Sequence, residues 1–597
     1  MVQRFLGWPP KIKLMNKNYN FIIDESLNDP SLDNKIYSHN FFLELHKKTN
    51  LPENTCFHPW SIPKNFHEDY EYLKDLKKKI IYPLTDTLND YHKKNFSTNY
   101  WEIILGYWIH SFLMMMLERW RILENLPYKD VHYTLKTKNI EDVDFIPQTL
   151  DEYNNIFWLS EYSSSLYEKI IKYKYSNNFT IVKINSKKKI DIVRKKFLSK
   201  NIDFKNIFLK TYFLIFGWVL KNQKNAVIRT YLGTFEEIKL NFHLSQLPTF
   251  VKNNYHLCRP QIQLRSKMRL NFNPTNDFEK LVLKNIFNFI PVSNLEGFQK
   301  EKKILNKIPL PKKPSSIFSS NILFKSLLSR YCAEKKEQGS KLILGCHGGS
   351  YGHYKDHFCE QQELLISDKY LSWGWANKNS KKIVKFGILR PKIKIKNLKK
   401  SFLTIIFPCN APLEKSIESS VQASIQGEYI FAPVFNIINK FSEEVSKNLL
   451  LKFYPRNFGK NEIEIFKNFN SKIKIDITGT KIENVLSNTK IFLSPYLGTG
   501  YLETLSMNIP TLIFVSKKLD CIREDAKPFY NLLKDVNIFF DDETELSNHI
   551  NNVWNNHQDW WYSRKLQENR QKFCNNFALI NPKKLDNLRN IILSEQT

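Results

Sequence analysis

Leu342-Ile-Leu-Gly-Cys-His-Gly-Gly-Ser-Tyr-Gly-His353 is the stretch on which the reading of this chain turns. Four of only 17 glycines in 597 residues, Gly345, Gly348, Gly349 and Gly352, fall within it. Glycine loses more backbone entropy on folding than any other residue, so a chain poor in it places it where the backbone turns tightly or another group comes close. The apolar run Lys341–Leu344 ahead of the loop reads as a buried strand. Open parallel sheets bind ligands at the carboxyl ends of their strands. The loop with His347, an imidazole that titrates near neutral pH, is therefore the first candidate for an active site.

The same alternation extends in both directions. Short β-branched runs at Thr180–Ile184 and Ala226–Tyr231 alternate with longer helical stretches, and Ser315–Cys332 leads into a helix. Beyond the lysine-rich Lys392–Lys400, read as a linker, strands are expected at Ser401–Phe407, Leu450–Tyr454, Lys472–Ile475, Ile491–Leu493 and Thr511–Val515. Helices are expected at Pro433–Leu449, Lys481–Ser487 and Tyr501–Met507. Short connections between such elements imply parallel sheets covered on both faces. The fold class is thus α/β, with two Rossmann-like domains facing a cleft and a helical N-terminal addition. The divisions are an extension of unclear fold over 1–95, an α/β domain with a helical insertion over 96–385, a second α/β domain over 386–560, and a C-terminal helix over 561–597. Tyr100–Leu123 is apolar almost all round, which marks a helix central to a core. Its most apolar part, Ile103–Leu117, falls short of the ~20 residues that a membrane span needs.

Bulk composition narrows the partners. The formal net charge is +30. A basic surface can serve nucleic acid, an anionic membrane face or phosphorylated substrates. The lysines are dispersed and no nucleic-acid-binding motif is present, so compositional drift of the kind an AT-rich genome produces stands as a further reading of the excess. Eight cysteines without a Cys-x-x-Cys pair argue against a disulfide framework and suit a reducing cytoplasm. The segment Met1–Pro10 lacks the sustained apolar core of a signal peptide.

A second constellation is Ser494-Pro-Tyr-Leu-Gly-Thr-Gly500, followed by Tyr501-Leu-Glu503. A strand, a glycine-bearing turn and a helix amino terminus together form an anion site through free amides and the helix dipole. Gly498, Thr499 and Gly500 supply the turn, and Glu503 could accept from ribose hydroxyls. Arg456, after the strand ending at Tyr454, could neutralise a diphosphate. Glu363 and Asp368 flank the first loop, as groups that orient His347 or act as the base. Cys346, His347, His353, His357 and Cys359 have partial metal-ligand spacing but no complete ligand set. No metal site is expected.

Several segments together resemble one family. They are Tyr100-Trp-Glu-Ile-Ile-Leu-Gly-Tyr-Trp108 with Glu118-Arg119-Trp120, His347-Gly-Gly-Ser-Tyr-Gly352, and Glu363 with Ile366-Ser-Asp-Lys-Tyr-Leu-Ser-Trp-Gly-Trp375. Tyr454-Pro-Arg456, Gly498-Thr-Gly-Tyr-Leu-Glu-Thr-Leu-Ser-Met-Asn-Ile-Pro510 and Trp560-Trp561 complete the set. The combination resembles a family of transferases linked to bacterial surface-polysaccharide loci. It departs from that family in carrying Cys346 where glutamine is usual and Glu118 where aspartate is usual. Thr499–Glu503 is also similar to the donor site of two-domain GT-B glycosyltransferases, and the His-Gly loop to that of CDP-glycerol and capsule transferases. The resemblance implies a GT-B-like glycosyltransferase of surface-polysaccharide or O-antigen assembly. A nucleotide-sugar would be its donor substrate, with no further cofactor and no metal. Arg456, Gly498, Thr499, Gly500 and Glu503 would hold the donor, and His347, with Glu363 or Asp368, would serve catalysis. The partners implied are a glycan or lipid-linked acceptor and peripheral contact with an anionic inner membrane, from the cytoplasm, without nucleic acid. Two alternatives stay open: a polyol-phosphate transferase of the CDP-glycerol kind, and a basic nucleic-acid-binding protein.

Overall fold

The computed structural model describes residues 18–595, apart from 24, 28–34, 38–59, 61, 199–203, 252–256, 378–379, 392, 397–399, 409–426, 455–461 and 470–472. Among these residues the chain builds three sheets, all with parallel pairing. The five-stranded sheet runs in sequence order, β5 (Asn225–Val227), β6 (Ser316–Ser319), β7 (Lys341–Gly345), β8 (Lys369–Ser372) and β9 (Ile383–Lys385). The six-stranded sheet uses β10 (Phe402–Ile406), β11 (Leu449–Lys452), β12 (Lys474–Asp476), β13 (Thr489–Ser494), β14 (Thr511–Phe514) and β15 (Phe539–Phe540). Its spatial order is β12-β11-β10-β13-β14-β15. That order reverses between β10 and β13, which is the topological switch point of a doubly wound sheet. The two sheets are the two Rossmann-like α/β units expected from the strand pattern.

β4 (Phe179–Ile184) is a strand, but it lies in neither of those sheets. It pairs with β3 (His132–Lys138) in a separate four-stranded sheet ordered β2 (Lys35–Tyr37), β1 (Asn18–Ile22), β3, β4. A β-branched run specifies a strand, whereas its sheet is chosen by packing. The segment 1–95 is also more regular than its composition suggests, because it contains the 30-residue helix Pro63–His92. This helix packs against Thr98–Glu124, whose residues are buried almost without interruption. The adjacent Glu118 and Arg119 pair at 2.6 Å with no side-chain exposure, so this motif belongs to the core of the addition. The expected Pro433–Leu449 helix divides into Ala432–Ile438 and Glu443–Lys447, with the Ser442 side chain capping the second.

The end of the chain returns to the first sheet. After His557–Trp561 and Arg564–Phe577, the helix Lys584–Ser594 packs Leu588 and Ile592 into the apolar cluster of Val227, Phe318 and Ile343. The span 561–597, expected as a single helix, thus holds two, and the last of them covers a face of the amino-terminal sheet. No helix among the described residues is long and apolar enough to cross a membrane.

Candidate active site

His347 stands two residues beyond the carboxyl end of β7. Its loop is held from several sides. The indole of Trp373 donates to the Cys346 carbonyl at 2.9 Å, and the Gly352 amide donates to Glu360 Oε2 at 2.7 Å. Gly352 has φ +82°, and a Cβ there would overlap the indole of Trp375, so both backbone and space demand glycine. The Ser-Trp-Gly-Trp motif thus braces the His-Gly loop. The ring of His357 accepts the Glu360 amide through Nδ1, which leaves Nε2–H to donate to Ser350 Oγ at 3.0 Å.

The His347 side chain is mostly enclosed, with 14% exposure. Its Nε2 lies 3.3 Å from the Tyr351 hydroxyl, and its Nδ1 lies 3.4 Å from Glu363 Oε1. Glu363 comes from the helix Phe358–Ile366 and also accepts from the Tyr370 hydroxyl at 3.2 Å. Burial pushes the Glu363 carboxyl well above the ordinary range, against the pull of the Tyr370 hydrogen bond. The N-terminal addition positions that helix. Lys77, in an ion pair with Glu102, donates to Gln362 Oε1 at 2.7 Å, and Gln362 Nε2 donates to the Glu102 carbonyl at 3.0 Å. A side chain at Gly106 would collide with Gln362, which explains the glycine of the Tyr100–Trp108 motif.

Asp368 does not share this site. It precedes β8 at the opposite edge of the sheet, where Lys336 donates to it at 2.6 Å and the Leu342 amide at 2.7 Å. Leu342 and His347 are five residues apart along and just past one strand, roughly 16 Å at the usual rise. Asp368 is near the loop in sequence, but a parallel strand carries it to the far edge.

The second constellation meets the first directly. The helix Thr499–Ser506 follows β13 at the switch point, and its N-cap is Gly498, which has no side chain to cap the first amides. The Gly349 amide donates to Thr499 Oγ1 at 3.1 Å. A Cβ on Gly349 would overlap the Gly498 carbonyl and the Thr499 Cα, so the two glycine loops touch backbone to backbone. Gly498 and Gly500 lie in the same turn; Gly498 is also pressed against the Tyr496 ring. One turn on, Glu503 is nearly buried and pairs with Arg390 at 2.8 Å. Burial raises its carboxyl, and the guanidinium opposes that shift. Arg390 lies over the Tyr231 ring at 5.6 Å, and that ring is 5.6 Å from His347. Glu503, Arg390, Tyr231 and His347 therefore form a chain across the two domains. A pocket of about 420 Å³ opens beside it, lined by Glu236, Ile388, Arg390, Glu503, Met507 and Lys584 among others.

Arg456 lies outside the described residues. The basic group beside Glu503 is Arg390, which sequence pattern does not single out because it stands at the edge of the lysine-rich linker. Ser319, Ser320 and Asn321 equally escape the motif reading. They end β6, next to β7, and their Oγ, Oγ and Oδ1 atoms are buried without a hydrogen-bond partner among the described residues. Three consecutive small polar residues directly after an apolar strand are the signal that could have found them. The cysteines and histidines with metal-ligand spacing are not gathered. Cys346 Sγ faces the Gly348 carbonyl, His353 accepts or donates to Tyr530 at 2.8 Å, and no group of three candidate ligands occurs among the described residues.

A family model described as LIC12162 family transferase matches residues 27–592. No curated protein matches the sequence. Among solved structures, Staphylococcus aureus MnaA with UDP is 12% identical, covering 62% of this chain and 96% of its own, with a TM-score of 0.34. A glycosyltransferase from Rickettsia africae is 14% identical, covering 63% and 98%, with a TM-score of 0.33. Acinetobacter baumannii MurG is 9% identical, covering 62% and 100%, with a TM-score of 0.31. At these scores the likeness assigns no substrate.

Proposed function

Because the chain belongs to the LIC12162 family of transferases, we propose that it transfers a glycosyl group from a nucleotide-sugar to a hydroxyl of a surface glycan or lipid-linked acceptor. The observation that carries this reading is the direct contact of two glycine loops, one bearing a base and the other a helix amino terminus. In this reading the nucleoside occupies the pocket beside Glu503, whose carboxylate accepts from ribose. The diphosphate lies toward the amides of Thr499 and Gly500, where the helix dipole and Arg390 neutralise the charge that develops as it leaves. The acceptor hydroxyl approaches His347 at the carboxyl end of β7. His347 takes the acceptor's proton at Nε2, and Glu363 stabilises the imidazolium from the Nδ1 side. Burial makes Glu363 reluctant to ionise alone, so its ionisation and formation of the imidazolium favour each other.

Calorimetry with UDP, GDP, dTDP and CDP tests the donor half. Binding of one of the first three is expected, weakened by ~1.5–3 kcal/mol in Glu503→Gln through loss of a charged acceptor. Unchanged affinity in that variant removes Glu503 from the site, and binding of CDP alone moves the reaction to polyol-phosphate transfer. A salt-dependent gel shift with DNA or RNA and no nucleotide affinity would replace the enzyme reading altogether.

A further inference from the structure

The helix Phe204–Lys221 turns its apolar side outward. Leu214 is 86% exposed and Trp218 78%, and Phe208, Ile215 and Val219 are also exposed. At about 100° per residue these five side chains fall within an arc of about 140°. Opposite the stripe Leu220 is fully buried, Phe216 beside it is partly exposed, and the margins of the stripe dock. Tyr212 donates to the Pro248 carbonyl at 2.8 Å and stacks edge-on against Phe250, while Gly217 lies against Pro309. Within the stripe Phe208 stacks on Tyr212 of the same helix, while Leu214, Ile215 and Trp218 stay largely exposed.

Charge says what covers it. No acidic residue occurs between Asp203 and Glu236. Lys210 and Lys221 border the stripe at one edge of the arc. At the helix end, the Lys312 amide donates to the Lys221 carbonyl at 2.9 Å, which brings the exposed Lys312 and Lys313 beside Lys221 and Lys224. A wide apolar stripe with a tryptophan, edged by lysines and free of acids, fits the boundary between lipid headgroups and acyl chains. Lysines at positions 205, 210 and 221 suit a helix that lies along a membrane surface rather than one that crosses it.

We infer that the Phe204–Lys221 helix docks this protein onto an anionic lipid bilayer, inserting Leu214, Ile215 and Trp218 while the neighbouring lysines meet the headgroups. The inference is independent of the glycosyl-transfer reading, since none of these residues lines the candidate active site. It is tested by sedimenting the full chain with vesicles of phosphatidylcholine containing about 30% phosphatidylglycerol, and with phosphatidylcholine alone. Binding to the anionic vesicles is expected, falling at least about tenfold in the Leu214→Ser/Trp218→Ser variant and in about 0.5 M salt, where surface charge is screened. The variant should keep the wild-type thermal midpoint and nucleotide affinity, because both side chains are exposed. No binding to anionic vesicles, or equal binding by the variant, overturns the inference. So does a dimer in sedimentation velocity that the double substitution dissolves, which would give the stripe to a second copy of the chain.

Discussion

The two glycine loops occupy equivalent places, each beyond the carboxyl end of a parallel strand, yet they are built by opposite means. Around His347 the backbone groups are engaged: Trp373 holds the Cys346 carbonyl, Glu360 holds the Gly352 amide, and His357 is fixed by Ser350 and the Glu360 amide. Around Thr499 the helix begins at Gly498, which has no side chain to cap it, and the Thr499 hydroxyl receives the amide of the other loop. With the Cys346 carbonyl and the Gly349 and Gly352 amides engaged, the first loop acts in the proposed mechanism through the side chains of His347 and Glu363. A loop that leaves helix-terminal amides uncapped recognises with the backbone itself, which suits an anion.

The sharpest way to break this contrast is His347→Ala. Turnover is expected to fall by ~100-fold or more, the scale of a lost general base, with donor affinity near wild type. Retained turnover would show that the first loop is scaffold, and a donor affinity that falls equally would merge the two roles. Gly349→Ala comes next. Its methyl group would press on Gly498 and Thr499 backbone, which can yield only by moving the loops apart. A stability loss of ~1–3 kcal/mol, typical of overpacking, is expected in denaturant unfolding. An unperturbed midpoint would mean that the loops separate freely.

A smaller effect sharpens the electrostatics. Glu363 has its native pKa raised by burial. Below the ordinary carboxyl range both native and unfolded chains hold its proton. As pH rises through that range the unfolded chain releases the proton and the native one does not, so stability is lost until the native pKa is reached. Glu363→Gln removes the titration. Its thermal midpoint should therefore gain on wild type as pH rises from about 4 to about 8. A variant midpoint that falls relative to wild type over that interval reverses the sign assigned to burial. The smallest expected effect is that of a chelator. Activity should persist in excess EDTA, because helix amides and Arg390 neutralise the diphosphate in the proposed mechanism. Activity lost to EDTA and restored by a divalent ion would assign that role to a metal.

Local periodicity and glycine placement by themselves determine much of this protein. The buried strand Lys341–Gly345, the loop after it, the helix at Thr499 and the largely buried Thr98–Glu124 helix follow from apolar runs and turn residues, which act over a few positions. Glu363 is legible as a partner of His347 because its helix begins soon after the loop. Asp368 is misplaced by the same logic: nearness in sequence does not reveal which edge of a parallel sheet a residue occupies. The tertiary structure alone decides that β4 leaves the large sheets for a fourth-strand position beside β3, that Arg390 pairs with Glu503, and that Gly349 meets Thr499. It alone turns the apolar side of Phe204–Lys221 outward. Hydrophobic pattern fixes which residues seek cover, and only the packing of distant segments settles which of them receive it.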